Sequence, residues 1–158
     1  MNVLSFLKEE NILEDLKAVN KEAAIRELVE ALRKIGQVGE GDVPDLVRAL
    51  LRREELGSTG VGRGIGVPHT KHGRVTRLVG AFGRSRQGIE WKALDGDPVH
   101  GIFLILSPQE APRDHLAALE GISVLIRDES FCRKIREAPG RKDLVELLRQ
   151  ASQNAEHG

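Results

Sequence analysis

The run from Val99 to Leu106 restricts the fold of this 158-residue chain more than any other feature of its sequence. It reads VHGIFLIL, a compact apolar stretch with β-branched residues, and the turn signal LDGDP ends at Pro98 just before it. A run of this length and composition is typical of a central strand that is buried in a sheet. The sequence must therefore provide other elements that cover this strand.

Helical patterns lie on both sides of the buried run. Helices are predicted at residues 20–36, 42–55, 115–126, 130–137 and 141–150, and shorter strands at 65–67 and 78–82. Because helices and strands are interspersed, we predict an α/β fold, a single layered domain over residues 1–150. Residues 151–158 are predicted to form a flexible C-terminal tail.

The charge balance argues against nucleic acid as a partner. Lys and Arg total 24 and Asp and Glu total 24, so the formal net charge is zero. Binding to a phosphate backbone is driven by clustered positive charge, which this balance does not provide. Five basic residues are predicted to form a solvated edge, with a docking face for a partner as the alternative: Arg74, Arg77, Arg84, Arg86 and Lys92.

The expected compartment is the cytoplasm. No apolar stretch near the N-terminus reaches the length of a signal core or a bilayer span, so we expect no direct membrane insertion. The single cysteine, Cys132, has no partner for an intramolecular disulfide, which fits a reducing compartment.

Two of the five histidines occupy positions that are typical of active-site residues. His69 follows a glycine-rich loop at residues 57–66 and comes directly after Pro68, which fixes the local backbone. His115 begins a predicted helix just after the buried strand ends, a position that functional groups favour in α/β proteins. A neutral imidazole presents one free ring nitrogen as a nucleophile, so proton or phosphoryl transfer is the indicated chemistry. The guanidinium of Arg53 would complete such a site by holding two phosphoryl oxygens.

Other kinds of site fit the sequence less well. His72 could bind a metal together with His69, but no acidic or cysteine ligand lies nearby in sequence. The glycine-rich loop lacks the Gly-Lys-Ser/Thr ending of a P-loop, and a predicted helix precedes it where a dinucleotide-binding motif needs a strand. Ser58 and Thr59 are predicted to form hydrogen bonds within the turn.

Several separated motifs resemble one family. They are REELGSTGVG from Arg53 to Gly62, GIGVPH from Gly64 to His69, the Asp95-Gly96 and Pro98-Val99 pairs, Ser107-Pro108, and His115-Leu116. In this order they resemble enzyme IIA of the bacterial phosphotransferase system, of the fructose, mannitol and nitrogen-regulatory type. The resemblance covers roughly residues 4–150.

The resemblance implies a mixed β-sheet flanked by α-helices and a phosphoryl relay with no metal or organic cofactor. It places the phosphate on His69, which would accept it from the histidine-containing phosphocarrier protein. It makes His115 the second active-site histidine, Arg53 the active-site arginine and Thr59 the loop threonine. The sequence departs from the family at Gly66, where alanine is usual. Arg63 and His72 bring extra charge or titratable groups near His69, and we expect them to tune the pKa of His69.

Two roles remain open for a relay that we expect to act without an attached IIB or IIC region. It passes phosphate to a IIB subunit, or its phosphorylation state controls a target protein, as in the nitrogen-regulatory branch. The GSTGVG segment from Gly57 to Gly62 favours the regulatory branch. A binding module that has kept the fold without the chemistry is the alternative, and the retention of His69, His115 and Arg53 argues against it.

Overall fold

The computed structural model describes residues 1–157, with the side chains of residues 1–155. The helices are α1 (Lys21–Lys34), α2 (Val43–Glu55), α3 (Pro112–Ile126), α4 (Glu129–Glu137) and α5 (Arg141–His157). The strands are β1 (Ile12–Leu13), β2 (Gly60–Gly62), β3 (Ile65–Gly66), β4 (His69–His72), β5 (Val79–Ile89) and β6 (Val99–Pro108). Short 3-10 turns lie at Val3–Ser5, Glu9–Asn11 and Glu40–Asp42.

The strands form one mixed sheet in the order β1-β5-β6-β3-β2. β5 and β6 are antiparallel, whereas β3 and β4 both lie parallel to β6 along the same edge. β3 and β4 are therefore two halves of an interrupted line, separated by Val67 and Pro68. Pro68 fixes the backbone at this break, and the line of the strand resumes at His69, the first residue of β4.

Both faces of the sheet are covered, because the central strand β6 is apolar on both. Ile102, Leu104 and Leu106 pack with α1 and α2. Phe103 and Ile105, which alternate with them, pack with α3, α4 and α5. The predicted α/β class, with a mixed sheet flanked by helices, is confirmed.

The C-terminal segment differs from the sequence prediction. Residues from 151 onward were expected to be a flexible tail, but α5 continues to His157. Ala151 and Ala155 pack against the core cluster and Ser152 is buried. The apolar stripe of α5 thus extends past Gln150, and burial of these small side chains stabilises the additional turns.

Arg84 also contradicts the prediction of a solvated basic edge. It lies in the middle of the sheet and is fully buried. Its guanidinium donates hydrogen bonds to the carbonyl oxygens of Glu14, Ile135 and Ala138. Two of these carbonyls lie at the C-terminal end of α4, where partial negative charge stabilises a cation. Arg84 therefore ties α4 to the sheet.

None of the helices within residues 1–157 is both long enough and apolar enough to cross a bilayer.

Candidate active site

The glycine-rich loop folds into the β2–β3 hairpin and packs closely against Trp91. A Cβ at Gly60 would lie 2.7 Å from Ala93 Cβ, and one at Gly66 would lie 3.0 Å from Trp91 Cε2. Gly62 and Gly64 have positive φ angles of 97° and 77°. The indole ring therefore occupies the space of a side chain at position 66, which explains why glycine replaces the usual alanine there.

Replacing Gly60 with alanine is expected to destabilise the fold by about 1–3 kcal/mol, because the new methyl group would overlap the backbone of Ala93. The free energy of unfolding from urea titration measures this change. Gly41→Ala is the matched control, since nothing lies within 4 Å of a Cβ at Gly41. Equal stability of the two variants would contradict the close packing of this hairpin.

His69 is the first residue of β4, and its backbone hydrogen bond fixes its ring. Nδ1 lies 2.7 Å from the carbonyl oxygen of Val67. Since a carbonyl oxygen only accepts, Nδ1 carries the proton and Nε2 carries the lone pair of the neutral ring. Burial is the largest cause that lowers the pKa of His69 below its ordinary value, so this neutral form dominates at pH 7.

Two neighbouring charges act on His69 in opposite directions. The guanidinium of Arg53 lowers the pKa of His69, and the carboxylate of Glu54 raises it. The sequence analysis expected Arg63 and His72 to tune this pKa instead. His72 faces its own turn, where its Nδ1 accepts a hydrogen bond from the backbone N–H of Arg74.

His115 lies in the first turn of α3 and contacts His69. The centroids of the two rings are 5.5 Å apart. His115 is 7% exposed, and its Nδ1 lies 2.7 Å from Oγ of the fully buried Ser107. Burial, with smaller contributions from the charges of His69 and Lys71, lowers the pKa of His115 to about 4. His115 is therefore neutral at pH 7.

Arg53 lies in the last turn of α2, with its guanidinium anchored beside the glycine-rich loop. Its Nη1 donates a hydrogen bond of 2.8 Å to the carbonyl oxygen of Gly57. Arg53 lines a cleft of about 510 Å³ together with His69 and Thr59. The helix end and the loop thus bring a cation and a neutral imidazole to one opening.

Thr59 is buried in a network that the sequence analysis did not foresee. Its hydroxyl donates to Glu54 Oε2 and accepts a hydrogen bond from Trp91 Nε1. Glu54 Oε1 in turn accepts from the backbone N–H of Thr59 and forms a 2.8 Å ion pair with Lys21. The buried carboxylate is therefore paired and holds the loop in place. Its only sequence signal was its position directly after Arg53.

The structure brings together His69, His115, Arg53 and Thr59, all four residues that the sequence predicted. Ser107 joins them, a residue quoted in the sequence analysis only as part of the Ser107-Pro108 pair. Among the side chains that the structure describes, those of residues 1–155, no group of three or more His, Cys, Asp or Glu is arranged to hold a metal ion. A neutral imidazole thus lies beside a second imidazole and close to a guanidinium, an arrangement that suits transfer of an anionic group.

The chain belongs to the EIIA 2 family of the phosphoenolpyruvate-dependent sugar phosphotransferase system, whose model matches residues 5–151. Proteins of this family are phosphotransfer components, so a transferase role and a phosphoryl relay follow at the family level.

Named relatives come from both branches of the family. A nitrogen regulatory protein of Bradyrhizobium diazoefficiens is 34% identical over 148 residues, covering 94% of this chain and 95% of that protein. A fructose-specific EIIABC component of Bacillus subtilis is 33% identical over 150 residues, covering 95% of this chain. The chain spans only 23% of the length of that EIIABC component.

Solved structures share the fold. The crystal structure of the nitrogen regulatory protein IIA-Ntr from Neisseria meningitidis has a TM-score of 0.80 and 29% identity, covering 91% of this chain and 97% of that one. The mannitol enzyme IIA of Escherichia coli, solved in complex with phosphorylated mannitol enzyme IIB, has a TM-score of 0.74 and 27% identity. That match covers 92% of this chain and 99% of the solved chain.

Proposed function

We propose that this chain accepts a phosphoryl group on Nε2 of His69 from the histidine-containing phosphocarrier protein and then passes it on. The observation that carries the proposal is the hydrogen bond between Nδ1 and the carbonyl oxygen of Val67, because it leaves the lone pair on Nε2. The lowered pKa of His69 keeps this nitrogen unprotonated at pH 7.

The transfer needs no movement of protons. The Nε2 lone pair of His69 attacks phosphorus as the bond between phosphorus and the donor's ring nitrogen breaks. The donor ring leaves with that electron pair as a neutral imidazole. The phosphorylated ring of His69 keeps its proton on Nδ1, where the carbonyl oxygen of Val67 stabilises the positive charge that develops.

The remaining site residues act on the phosphoryl oxygens or hold the site in shape. Arg53 supplies positive charge and unused N–H donors for these oxygens. His115, neutral at pH 7, donates a hydrogen bond from its Nε2–H. Thr59 is buried and bonded to Glu54, so its part is to shape the loop.

Two kinds of acceptor are consistent with the relatives. The solved complex of mannitol enzyme IIA with phosphorylated enzyme IIB supports a IIB subunit as acceptor. The nitrogen regulatory relatives support control of a target protein by the phosphorylation state. A non-catalytic binding module is the alternative to both, and the intact set of His69, His115 and Arg53 speaks against it. We place this relay in the cytoplasm, with no cofactor required.

Incubation with phosphoenolpyruvate, enzyme I and the phosphocarrier protein tests the proposal. Intact mass is expected to show one added phosphate that is lost in acid, as a phosphorus–nitrogen bond requires. A wild-type chain that gains no phosphate from cognate donors would favour the binding module instead.

Ser107 is expected to fix the tautomer of His115. Donation of its O–H to Nδ1 leaves the proton of the neutral ring on Nε2, facing the phosphoryl group. Ser107→Ala should therefore retain phosphate uptake but slow onward transfer by about tenfold, the worth of one hydrogen bond. Nitrogen-15 NMR should show His115 protonated on Nε2 in the wild type and as mixed tautomers in the variant. Unchanged tautomers would contradict this role.

A further inference from the structure

The most deeply buried carboxylate among the described ion pairs belongs to Glu54, the residue that directly follows Arg53. Its side chain is 4% exposed in the pair with Lys21. Every other carboxylate in these ion pairs is at least 26% exposed. Removing two charges from water costs about as much free energy as their attraction returns, so a buried pair adds little net stability. The position of this pair beside the active site therefore needs another explanation.

A chain of hydrogen bonds leads from Glu54 to the ring of His69. Glu54 accepts hydrogen bonds from the backbone N–H and the hydroxyl of Thr59. The carbonyl oxygen of Thr59 accepts a 3.0 Å hydrogen bond from the backbone N–H of Val67. The carbonyl oxygen of Val67 in turn lies 2.7 Å from Nδ1 of His69. A displacement of Thr59 would thus reach the carbonyl that fixes the imidazole.

Val67 depends on this chain because it lies in the break between β3 and β4. Its N–H bond to Thr59 holds it from the side of the glycine-rich loop. On the other side, the carbonyl oxygen of Pro68 accepts a 3.0 Å hydrogen bond from the N–H of Ile105 in the central strand. The carbonyl of Val67 is therefore oriented by two anchors, of which Thr59 is the one that the ion pair holds.

Lys21, at the start of α1, contacts both groups that hold Thr59. Its Nζ lies 2.8 Å from Glu54 Oε1 and 5.1 Å from the centre of the Trp91 ring. Trp91 Nε1 donates a 3.3 Å hydrogen bond to the hydroxyl of Thr59. Neither Lys21 nor Glu54 is among the described residues that line the cleft, so any effect they have on transfer acts through other residues.

We propose that Lys21 and Glu54 are positioning residues for the nucleophile, because their ion pair holds Thr59 and, through it, the Val67 carbonyl that fixes the ring of His69. The inference rests on the proposed function, since the orientation of this ring affects transfer only if His69 is the nucleophile. A ring held in one tautomer and one orientation keeps its Nε2 lone pair aimed at the incoming phosphorus atom.

The test combines two measurements on the full chain. Nitrogen-15 NMR of the unphosphorylated protein shows which ring nitrogen of His69 carries the proton. Phosphate uptake from the phosphorylated phosphocarrier protein, at several donor concentrations, gives kcat and KM. Lys21→Met removes the charge and keeps an unbranched apolar chain beside Trp91. Glu54→Gln keeps the shape but offers one acceptor oxygen where the carboxylate offers two.

Both variants are expected to lower kcat by about 5- to 20-fold, because a displaced nucleophile spends less time in line with the phosphoryl group. KM should change by less than about twofold, because the cleft surface is untouched. The Nδ1–H tautomer of His69 should give way to a mixture. Glu54→Gln should also lower the pKa of His69, which the carboxylate raises. Lys21→Arg can still pair with the carboxylate and should regain most of the lost rate.

Arg33→Met is the matched control. It removes an ion-paired cation from the same helix, where Arg33 pairs with Glu30, and it should match the wild type in both measurements. Thr59→Val provides a second test if Lys21→Met does not fold. It removes the hydroxyl from the network and leaves the ion pair in place, and it should shift the tautomer of His69 and lower kcat in the same direction.

The outcomes separate this proposal from the proposed function. Reduced stability with a wild-type kcat and a wild-type tautomer would make Lys21 and Glu54 purely structural and overturn the proposal. An equal loss of kcat in Arg33→Met would overturn it as well. If the wild-type chain takes up no phosphate from cognate donors, the relay fails. In that case a changed tautomer in the variants would still uphold the positioning of His69, and an unchanged tautomer would overturn it too.

Discussion

The His69→Ala variant is expected to take up no phosphate while keeping the wild-type fold. The substitution removes Nε2, the only atom that the proposed mechanism uses as a nucleophile. Among the described side chains, no second imidazole makes the same tautomer-fixing contact with Val67. His115 cannot replace it, because it is 7% exposed and its Nδ1 is engaged by Ser107. The acid-labile mass increment should be absent, because the rate of phosphate uptake is expected to fall by more than about 10⁴-fold.

His72→Ala is the matched control for this variant. His72 lies at the other end of the same strand, β4, and its Nδ1 contacts only its own turn through the backbone N–H of Arg74. This variant should take up one phosphate at the wild-type rate. Stoichiometric labelling of His69→Ala, or loss of labelling in His72→Ala, would contradict the assignment of the nucleophile.

The parts of the fold that depend on local pattern were predictable from the sequence. The apolar run from Val99 to Leu106 did form the central strand, because a strand covered on both faces needs apolar residues at every position. His69 and His115 were singled out as candidate site residues for a related reason. Each follows a clear local signal, a proline after a glycine-rich loop for one and the end of a buried strand for the other.

The missed features depend on contacts between distant segments. The ion pair of Lys21 with Glu54 joins two helices, and a salt-bridging glutamate cannot be told from a solvated one by helical periodicity. Arg84 looked like a surface cation, yet two of the carbonyls that accept hydrogen bonds from its guanidinium come from residues more than 50 positions away, at the C-terminal end of α4. Ser107 belongs to the site because β6 packs against α3, which brings its hydroxyl to His115, and the sequence alone does not show this contact.

The tail was mispredicted for a similar reason. Ala151 and Ala155 carry too little apolar surface to produce a strong helical pattern, so the sequence gives no reason to continue the helix beyond residue 150. In the folded protein both side chains pack against the hydrophobic core that the other elements form. This packing, rather than intrinsic helix propensity, stabilises α5 beyond residue 150.

His115→Ala is expected to separate the two halves of the relay. The nucleophile stays intact, so His69 should still accept phosphate from the phosphocarrier protein. Onward transfer should fall by about 10²- to 10³-fold, the usual cost of removing one donor that stabilises charge in a transition state. Single-turnover transfer from the phosphorylated chain to a IIB acceptor measures this step, and thermal unfolding checks that the alanine cavity has not disrupted the fold.

Two further substitutions at position 115 distinguish a hydrogen-bond donor from a structural residue. The amide nitrogen of glutamine reaches about as far as Nε2 of histidine, so His115→Gln should keep a donor at the phosphoryl group and transfer within about tenfold of wild type. Asparagine reaches only as far as Nδ1, so His115→Asn can retain the contact with Ser107 yet lose the donor, and it should resemble alanine. If onward transfer in all three variants equalled wild type, His115 would be a packing residue beneath His69, and Arg53 alone would supply the charge that the phosphoryl group needs.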